Sequence, residues 1–366
     1  MASADVETSL EKTRVVLLIG GANSDNHRSC RQFNDVLAAL TDRNFDVGAI
    51  GITLEGSWVL FEDLNAISQA SRIESFELSD ASVKEIKGAT TTDFPPRALI
   101  SYDIVFSLIL GVPGADGRIA GLLESIGVRL VASDSLGSAI ASDKSTIKLL
   151  LKAEDVATPR HVVIPDKAWR RDALSNVVRA ASLKLPLIIK PCRSTNGLGI
   201  SIVRFPREMK DAIAIARRFD GRFLAEEYHE GGRYLECGIL EDSERRNFIS
   251  AIVETKVVDD GIFNYLTRVA PDRFSQEVVS DLPEEIINKI KEITEKVFEA
   301  SKTSGYLQVE FLLTRENELL FIEANPSPYL GKDGSFVRGW LAAGLEYEDI
   351  IYAPVMEAIR RPLGLV

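Results

Sequence analysis

GYLQVEFLLTRENELLFIEAN, residues Gly305–Asn325, is the stretch that decides how the C-terminal part of this chain is built. Two apolar runs, YLQVEFLLT and LLFIEANP, flank the polar turn RENE and read as a β-hairpin. Glu310 lies on the first strand, and Glu323 and Asn325 lie on the second. Side chains at i and i+2 of a strand share a face. Glu323 and Asn325 therefore project together, and the hairpin can bring Glu310 beside them. Clustered carboxylates and an amide oxygen repel one another unless a hard cation sits among them. Mg²⁺ suits the set, because it takes oxygens from one or two carboxylates plus substrate phosphates. Alone, an E-x-N pattern is more often a solvated strand face than a metal site. Leu320, Phe321 and Ile322 make this strand apolar and set its carboxylate at a buried rim.

Upstream, LPLIIKPCRSTNGLGISIV (Leu185–Val203) ends a strand on Lys190 and opens a polar loop containing Gly197 and Gly199. A short glycine loop between strands lets backbone N–H groups approach phosphate oxygens, and Lys190 adds a point charge. No G-K-[ST] opens a helix here, so the loop is not a Walker loop, and the dinucleotide fingerprint is absent as well. An ordinary hairpin turn is the plain alternative. Lys144, in SDKSTIKLLL, stands on an otherwise apolar helix. A lysine there more often snorkels to solvent than touches a ligand. Arg268 falls in DDGIFNYLTRVAP, a polar and aromatic mixture suited to a flap over a site.

The first third alternates strand and helix signals. RVVLLIG, FDVGAIGI, DIVFSLILG and VRLVAS read as strands, with helical stretches through Phe33–Leu40 and Gly117–Gly127. This alternation predicts a doubly wound parallel sheet. Asp134 to about Lys152 reads as one long helix. Strands HVVI, LPLIIKP, ISIVRF and FLAEEY follow, then the antiparallel-looking LECGIL and ISAIVETKVV, a helix from Pro283 to Ser301, the hairpin, and two final helices. Boundaries drawn near Ala132 and Glu226 give three expected domains: an N-terminal α/β domain (1–132), a central part (133–226) and a C-terminal part with the metal site (227–366).

Composition narrows the classes. The chain has 366 residues, 45% hydrophobic and 27% charged, as a soluble globular protein does. Three cysteines are too few for a disulfide-stapled secreted domain, and no C-x-x-C pairs them. Cys192 borders the glycine loop, so thiol reagents are expected to block nucleotide binding there. The polar start MASADVETSLEKT does not read as a signal peptide, and no apolar run approaches a membrane span; the expectation is a cytoplasmic protein. The formal net charge of −11, with no basic cluster, disfavours nucleic acid. His27, His161 and His229 are scattered, giving little support to a zinc site or a Ser-His-Asp triad.

Read in order, GVPGADGRIAGLLESIGVRLVASDSLGSAIASDKSTIKLLL, IIKPCRSTNGLGIS, LAEEY, the Arg268 flap, YLQVEFLLT and FIEANP resemble the D-alanine–D-alanine ligase branch of the ATP-grasp superfamily, from about Arg14 onward. The resemblance implies a three-domain ATP-grasp α/β fold, an N-terminal parallel-sheet domain, an α+β C-terminal part, and ATP between the last two domains. It implies that Lys144 and Lys190 hold phosphates, that Ser194, Thr195, Asn196, Gly197 and Gly199 cover them, and that Glu226, Glu227, Tyr228 and His229 form the adenine hinge. Glu310, Glu323 and Asn325 then look like ligands of two Mg²⁺ ions, with Mn²⁺ a possible substitute, and Arg268 falls where the family places a flap lysine at the γ-phosphate. The implied chemistry is attack of a carboxylate on ATP, then capture of the acyl phosphate by an amine. Small-molecule partners and a homodimer go with it.

The departures cluster around the amino-acid substrates. The family's Arg-Val-Asp is Gln308-Val309-Glu310, and its His-Gly-x-x-Gly-Glu-Asp-Gly is Leu110-Gly111-Val112-Pro113-Gly114-Ala115-Asp116-Gly117. Asp25, with Asn26, His27 and Arg28 beside it, stands near the family's amine-holding glutamate; Asn196 and Val269 align with its serine and tyrosine. The ribose acid falls at Tyr234, with Glu236 on the same strand face. Ser335 and the amide of Phe336, opening a helix, are expected to receive the second substrate. The resemblance therefore predicts a ligase that keeps ATP activation and joins substrates other than two D-alanines. The alternatives are a true D-alanine–D-alanine ligase and a lapsed, regulatory nucleotide binder.

Overall fold

The computed structural model describes residues 13–258, 262, 264–268 and 270–362. The leader reading of the start therefore falls, but for Thr13, outside the described residues, as do Val269 and the side chain of Arg268. No helix among the described residues is long and apolar enough to cross a membrane.

Three sheets follow one another along the chain. The first comprises β1 (Arg14–Gly20), β2 (Asp46–Ile52), β3 (Trp58–Phe61), β4 (Ala89–Thr92), β5 (Ile104–Ser107) and β6 (Arg129–Val131), in the order β4-β3-β2-β1-β5-β6. Strands β2, β1, β5 and β6 are parallel, as their unbroken apolar runs require. Val15, Leu17 and Ile19 enter one core, and Val16 and Leu18 enter the other. The sheet is nevertheless mixed: β3 and β4 add two antiparallel edge strands that the alternation of longer elements did not reveal. Each has only four residues, and ATTT carries no apolar alternation.

The second sheet holds β7 (His161–Ile164), β8 (Leu187–Pro191), β9 (Ser201–Val203) and β10 (Phe223–Glu227), all antiparallel in the order β7-β10-β8-β9. The third holds β11 (Arg233–Glu241), β12 (Asn247–Ile249), β13 (Val253–Val257), β14 (Phe274–Val278), β15 (Tyr306–Leu313) and β16 (Leu319–Asn325). Its order is β14-β13-β11-β15-β16, with β12 beside β11. Leu235, Cys237 and Ile239 of β11 and Leu307, Val309 and Phe311 of β15 point into a core with Ile290, Ile293 and Val297. The alternate residues, Glu236 on β11 and Gln308 and Glu310 on β15, therefore take the other face.

The long helix expected from Asp134 is two helices, α1 (Ser135–Ser142) and α2 (Lys144–Leu151). Asp143 between them is extended, at φ −92° and ψ 99°, and its carboxylate accepts from the N–H groups of Ser145 (3.1 Å) and Thr146 (3.0 Å). Asp restarts a helix in this way because its oxygen satisfies N–H groups that lack an intrahelical partner. Cores cross from sheet to sheet. Ile147 and Leu151 of α2 pack on the third sheet with α3 (Glu284–Ser301). The last two helices, α4 (Ser335–Ala342) and α5 (Tyr347–Arg360), close over the first sheet through Phe336, Trp340, Ile351 and Val355.

On α5, burial pushes the Glu357 carboxyl up to about 7, against the pull of Arg361 at 2.9 Å, with Glu241 adding to the rise. The folded chain thus holds a proton that the unfolded chain releases near 4.5. This contribution is fully present below pH 4.5 and is lost as pH rises through about 7. Glu357→Gln is expected to match the parent near pH 5 and to exceed it at pH 8 by about 1–3 kcal/mol. Denaturant midpoints at the two pH values check this.

Candidate active site

The hairpin's register builds the acidic wall. Glu310 pairs with Glu323 and Gln308 with Asn325, but Phe311 pairs with Phe321, so Ile322 is an extra residue at a bulge. In a regular pairing without the bulge, Ile322 would stand opposite Glu310 and Glu323 would fall opposite Val309 and turn into the core, because a one-residue slip exchanges the faces of a strand. The bulge gives the cleft both Ile322, an apolar wall, and Glu323, a charge. Across the neighbouring ladder Glu236 pairs with Glu310. Among the described residues no three His, Cys, Asp or Glu side chains are disposed to hold a metal by themselves. Two carboxylates with an amide oxygen fit a hard divalent cation that completes its shell from phosphates and water.

Three lysines face this wall. Lys144 opens α2 and, contrary to the snorkelling reading, is buried; its ammonium donates to the Ser194 carbonyl at 2.6 Å and lies 2.8 Å from Glu323. Lys190, at the end of β8, lies 2.5 Å from Glu226. Lys148, one turn after Lys144, is wholly buried and lies 3.0 Å from the other Glu226 oxygen. Burial lowers the Lys148 ammonium to about 8, offset in part by Glu226 and deepened by Lys190. Burial alone would raise the Glu226 carboxyl, but Lys148 and Lys190 hold it down near 2. The carboxylate of Glu226 thus meets two lysines and is not free for adenine. Sequence reading missed Lys148, although the i, i+4 spacing from Lys144 on one helix face is a signal for it.

A narrow cleft runs between the second and third sheets. Ile188, Ile200, Ile262, Leu312 and Ile322 give it apolar sides; Lys190, Glu227, Tyr228, His229 and Tyr234 line it, and Glu310 and Glu323 stand at one end. Arg160 pairs with Glu227. Ser194 Oγ and His229 Nε2 are buried with no hydrogen-bond partner among the described residues, as groups waiting for a ligand would be. The glycine loop folds over the cleft. Asn196 is left-handed (φ 57°) and Gly197 follows at φ 72°. A Cβ on Gly197 would come within 2.6 Å of the Asn264 backbone, so only glycine lets the loop meet the segment Asn264–Arg268. The Tyr265 N–H donates to the Gly197 carbonyl at 3.2 Å. The backbone of Arg268 closes a short helix there.

Beyond Glu310 and Asn325 the cleft meets a cavity of about 520 Å³. Asp25, Arg28, Thr195 and Asn196 line it, as do Glu236, Gln308 and Ser335. Asp25 accepts from Asn196 Nδ2 at 2.6 Å and from Arg28 at 3.4 Å, and Arg28 stacks 4.8 Å over the Tyr329 ring. Asp25 is therefore already paired and does not await an ammonium. Two expected substrate contacts lie elsewhere. Asn26 is wholly buried, with its amide donating to the Gly21 carbonyl at 2.8 Å and accepting from the Leu78 N–H at 2.7 Å. Gly114 packs on the Ile109 carbonyl.

The expected thiol sensitivity also needs correction. Cys192 has no exposed surface, and burial pushes its thiol up to about 11. A neutral, enclosed thiol reacts slowly. Maleimide treatment of the native protein at pH 7 is expected to leave Cys192 unlabelled, as peptide mass mapping would read.

A cleft that offers cations to a polyphosphate from one sheet, and hard oxygen ligands to a divalent ion from the next, is the working arrangement of an ATP-grasp enzyme, an ADP-forming carbon–nitrogen ligase. The D-ala D-ala ligase N-terminus matches residues 14–133, and the D-ala D-ala ligase C-terminus matches residues 150–355. The chain is 30% identical to a D-alanine–D-alanine ligase of Mycolicibacterium smegmatis, over 97% of both chains. The VanG D-Ala:D-Ser ligase of Enterococcus faecalis superposes with a TM-score of 0.79 at 22% identity, covering 95% of this chain and 99% of that one. The D-alanine–D-alanine ligase of Coxiella burnetii gives 0.79 at 21% identity, covering 95% and 94%. The chain belongs to the D-alanine–D-alanine ligase family.

Proposed function

We propose that the protein activates a small carboxylate with ATP and joins it to an amine, and that its substrates are not a pair of D-alanines. The observation that carries the reading is the pairing of Glu310 with Glu323 on a face met by Lys144. Adenine packs between Ile188, Ile200 and Leu312, with His229 Nε2 free to bond it. Lys144, Lys190 and the Ser194–Gly199 loop take the phosphates; the role expected of Arg268 at the γ-phosphate, which follows from the family resemblance alone, belongs to the same proposal. Lys148 and Glu226 hold Lys190 in place from beneath. Glu310, Glu323 and Asn325 would hold magnesium, one ion or two, or manganese in its place. When bound, the metal neutralises charge on the transferred phosphoryl group. A donor carboxylate oxygen attacks the γ-phosphorus, and the bond to ADP breaks. The amine nitrogen then attacks the acyl carbon, the bond from carbon to phosphate oxygen breaks, and the amine proton leaves with phosphate or solvent. Positioning and fixed charge supply the catalysis.

The altered cavity argues against two D-alanines, since Asp25 is occupied by Asn196 and Arg28. A true D-alanine–D-alanine ligase is the second reading, favoured by relatives matched over nearly their whole length. ADP release and product mass decide between them. Turnover with D-alanine alone, as fast as with any other pair, supports the second reading and refutes the first. The homodimer and the cytoplasmic setting belong to the same proposal, and sedimentation velocity tests the former.

A further inference from the structure

The total charge of −11 hides a segregation. Residues 156–222 carry 14 Lys and Arg against 5 Asp and Glu, and the rest of the chain carries 29 against 49. A part of net charge +9 therefore sits on a body of −20. The chain order scatters these cations, so the sequence shows no basic run, and the fold collects them. Val177 and Ala180 of the helix Ala173–Ala180, and Ala212 and Ala216 of the helix Met209–Ala216, enter one core with Leu187 and Ile189 of β8. The alternate residues of β8, Ile188 and Lys190, line the cleft on the other face of the sheet. Both helices therefore turn their outer sides the same way, away from the cleft and from the third sheet beyond it.

Leu174 and Val178, one turn apart on the first of these helices, are 75% and 65% exposed. Arg171 and Arg179 bracket this pair along the chain, and Lys210 and Arg218 stand near the two ends of the second helix, all four exposed. Among the described residues none of these four cations has an ion pair. Most of the acids in this part are already engaged. Asp166 meets Arg170 and Arg217, at 2.7 and 2.9 Å, and Asp220 meets Arg193 and Arg222, at 3.3 and 3.2 Å. Asp172 accepts from the Ser175 N–H at 3.0 Å, and Glu208 accepts from the Arg204 N–H at 2.8 Å. Positive charge and bare apolar surface are thus left together on one outward-turned face.

We propose that this face docks on a bilayer rich in anionic lipid, with Leu174 and Val178 entering the headgroup boundary and Arg171, Arg179, Lys210 and Arg218 meeting the lipid phosphates. An anionic bilayer stabilises both features at once, through its surface potential and through burial of apolar side chains at the acyl boundary. At their exposure Leu174 and Val178 stand on a crest and not in a groove. A crest enters a deformable headgroup layer without a matching hollow, whereas a nucleic acid offers the charge and no apolar layer. The acidic body faces away, and at physiological salt its field is screened within about 8 Å. The contact is peripheral, since no helix among the described residues is long and apolar enough to cross a membrane. It shares no residue with the cleft, so it stands or falls apart from the ligase reading.

The test is co-sedimentation of the full-length protein with sucrose-loaded vesicles, made of phosphatidylcholine alone or of phosphatidylcholine and phosphatidylglycerol in equal parts. Partitioning onto the mixed vesicles is expected to be at least about tenfold stronger than onto phosphatidylcholine, and to weaken as salt is raised. Arg171→Gln with Lys210→Gln is expected to reduce it about tenfold or more, and Leu174→Ser with Val178→Ser by a similar factor. All four positions are exposed, so both double variants should keep the fold, with circular dichroism and thermal melting as controls. Equal partitioning of the parent protein onto the two kinds of vesicle, or onto neither, overturns the proposal whatever the variants do. Binding that the charge variant abolishes and the apolar variant leaves within about twofold also overturns it, in favour of a soluble acidic partner held by charge alone.

Discussion

Replacing Glu226 by glutamine is expected to lower stability by about 3–5 kcal/mol, because removing one partner of a buried ion pair leaves the other charge uncompensated. Here two charges are left. Lys148 has no exposed surface, Lys190 has almost none, and both lie on the Glu226 carboxylate, at 3.0 and 2.5 Å. The pH dependence carries a sign that identifies the cause. In the parent, Glu226 is held near 2, so its contribution is complete above pH 4.5 and fades only as pH falls through about 2. Lys148 behaves oppositely. Its folded value near 8 lies below the ordinary 10.5, so the folded state sheds that proton first, and stability rises with pH across this window. In Glu226→Gln the lysine loses its counter-charge, so the rise should begin well below pH 8. Denaturant titrations between pH 6 and pH 10 read both effects. A variant within about 1 kcal/mol of the parent at pH 7 would mean that the lysines find other partners.

Glu323→Gln is expected to keep the fold and reduce kcat by about 10²–10³-fold, the usual loss when a fixed charge at a developing transition state is removed. Glu323 is partly exposed at the rim and stands opposite Glu310, with Lys144 at 2.8 Å. The amide keeps the shape and one oxygen but gives up the charge that faces both a divalent ion and the lysine. Steady-state rates at several Mg²⁺ concentrations, with circular dichroism as a folding control, measure it. Activity near that of the parent would remove Glu323 from the metal site.

Much of this was legible in the residues, because strands announce themselves by period and lysines by their place at strand ends. Glu310, Glu323 and Asn325 share a face, and the apolar walls of the hairpin follow from alternation in YLQVEFLL. What escaped depended on geometry between distant segments. The bulge at Ile322 changes no residue type, yet it decides which way Glu323 points. Asp143 breaks a continuous helical pattern because its backbone also bridges to Arg193. Asn26 reads as a polar residue beside a site, but the carbonyls of Gly21 and Leu78 surround it. Asp25 looks free until Asn196, 171 residues away, donates to it.

The most direct test of the whole account is a crystal grown with Mn²⁺ and a non-hydrolysable ATP analogue, read by manganese anomalous scattering. The account predicts a peak between Glu310, Glu323 and Asn325, with the analogue's phosphates reaching Lys144 and Lys190. Nucleotide bound with its metal away from those three side chains would contradict it.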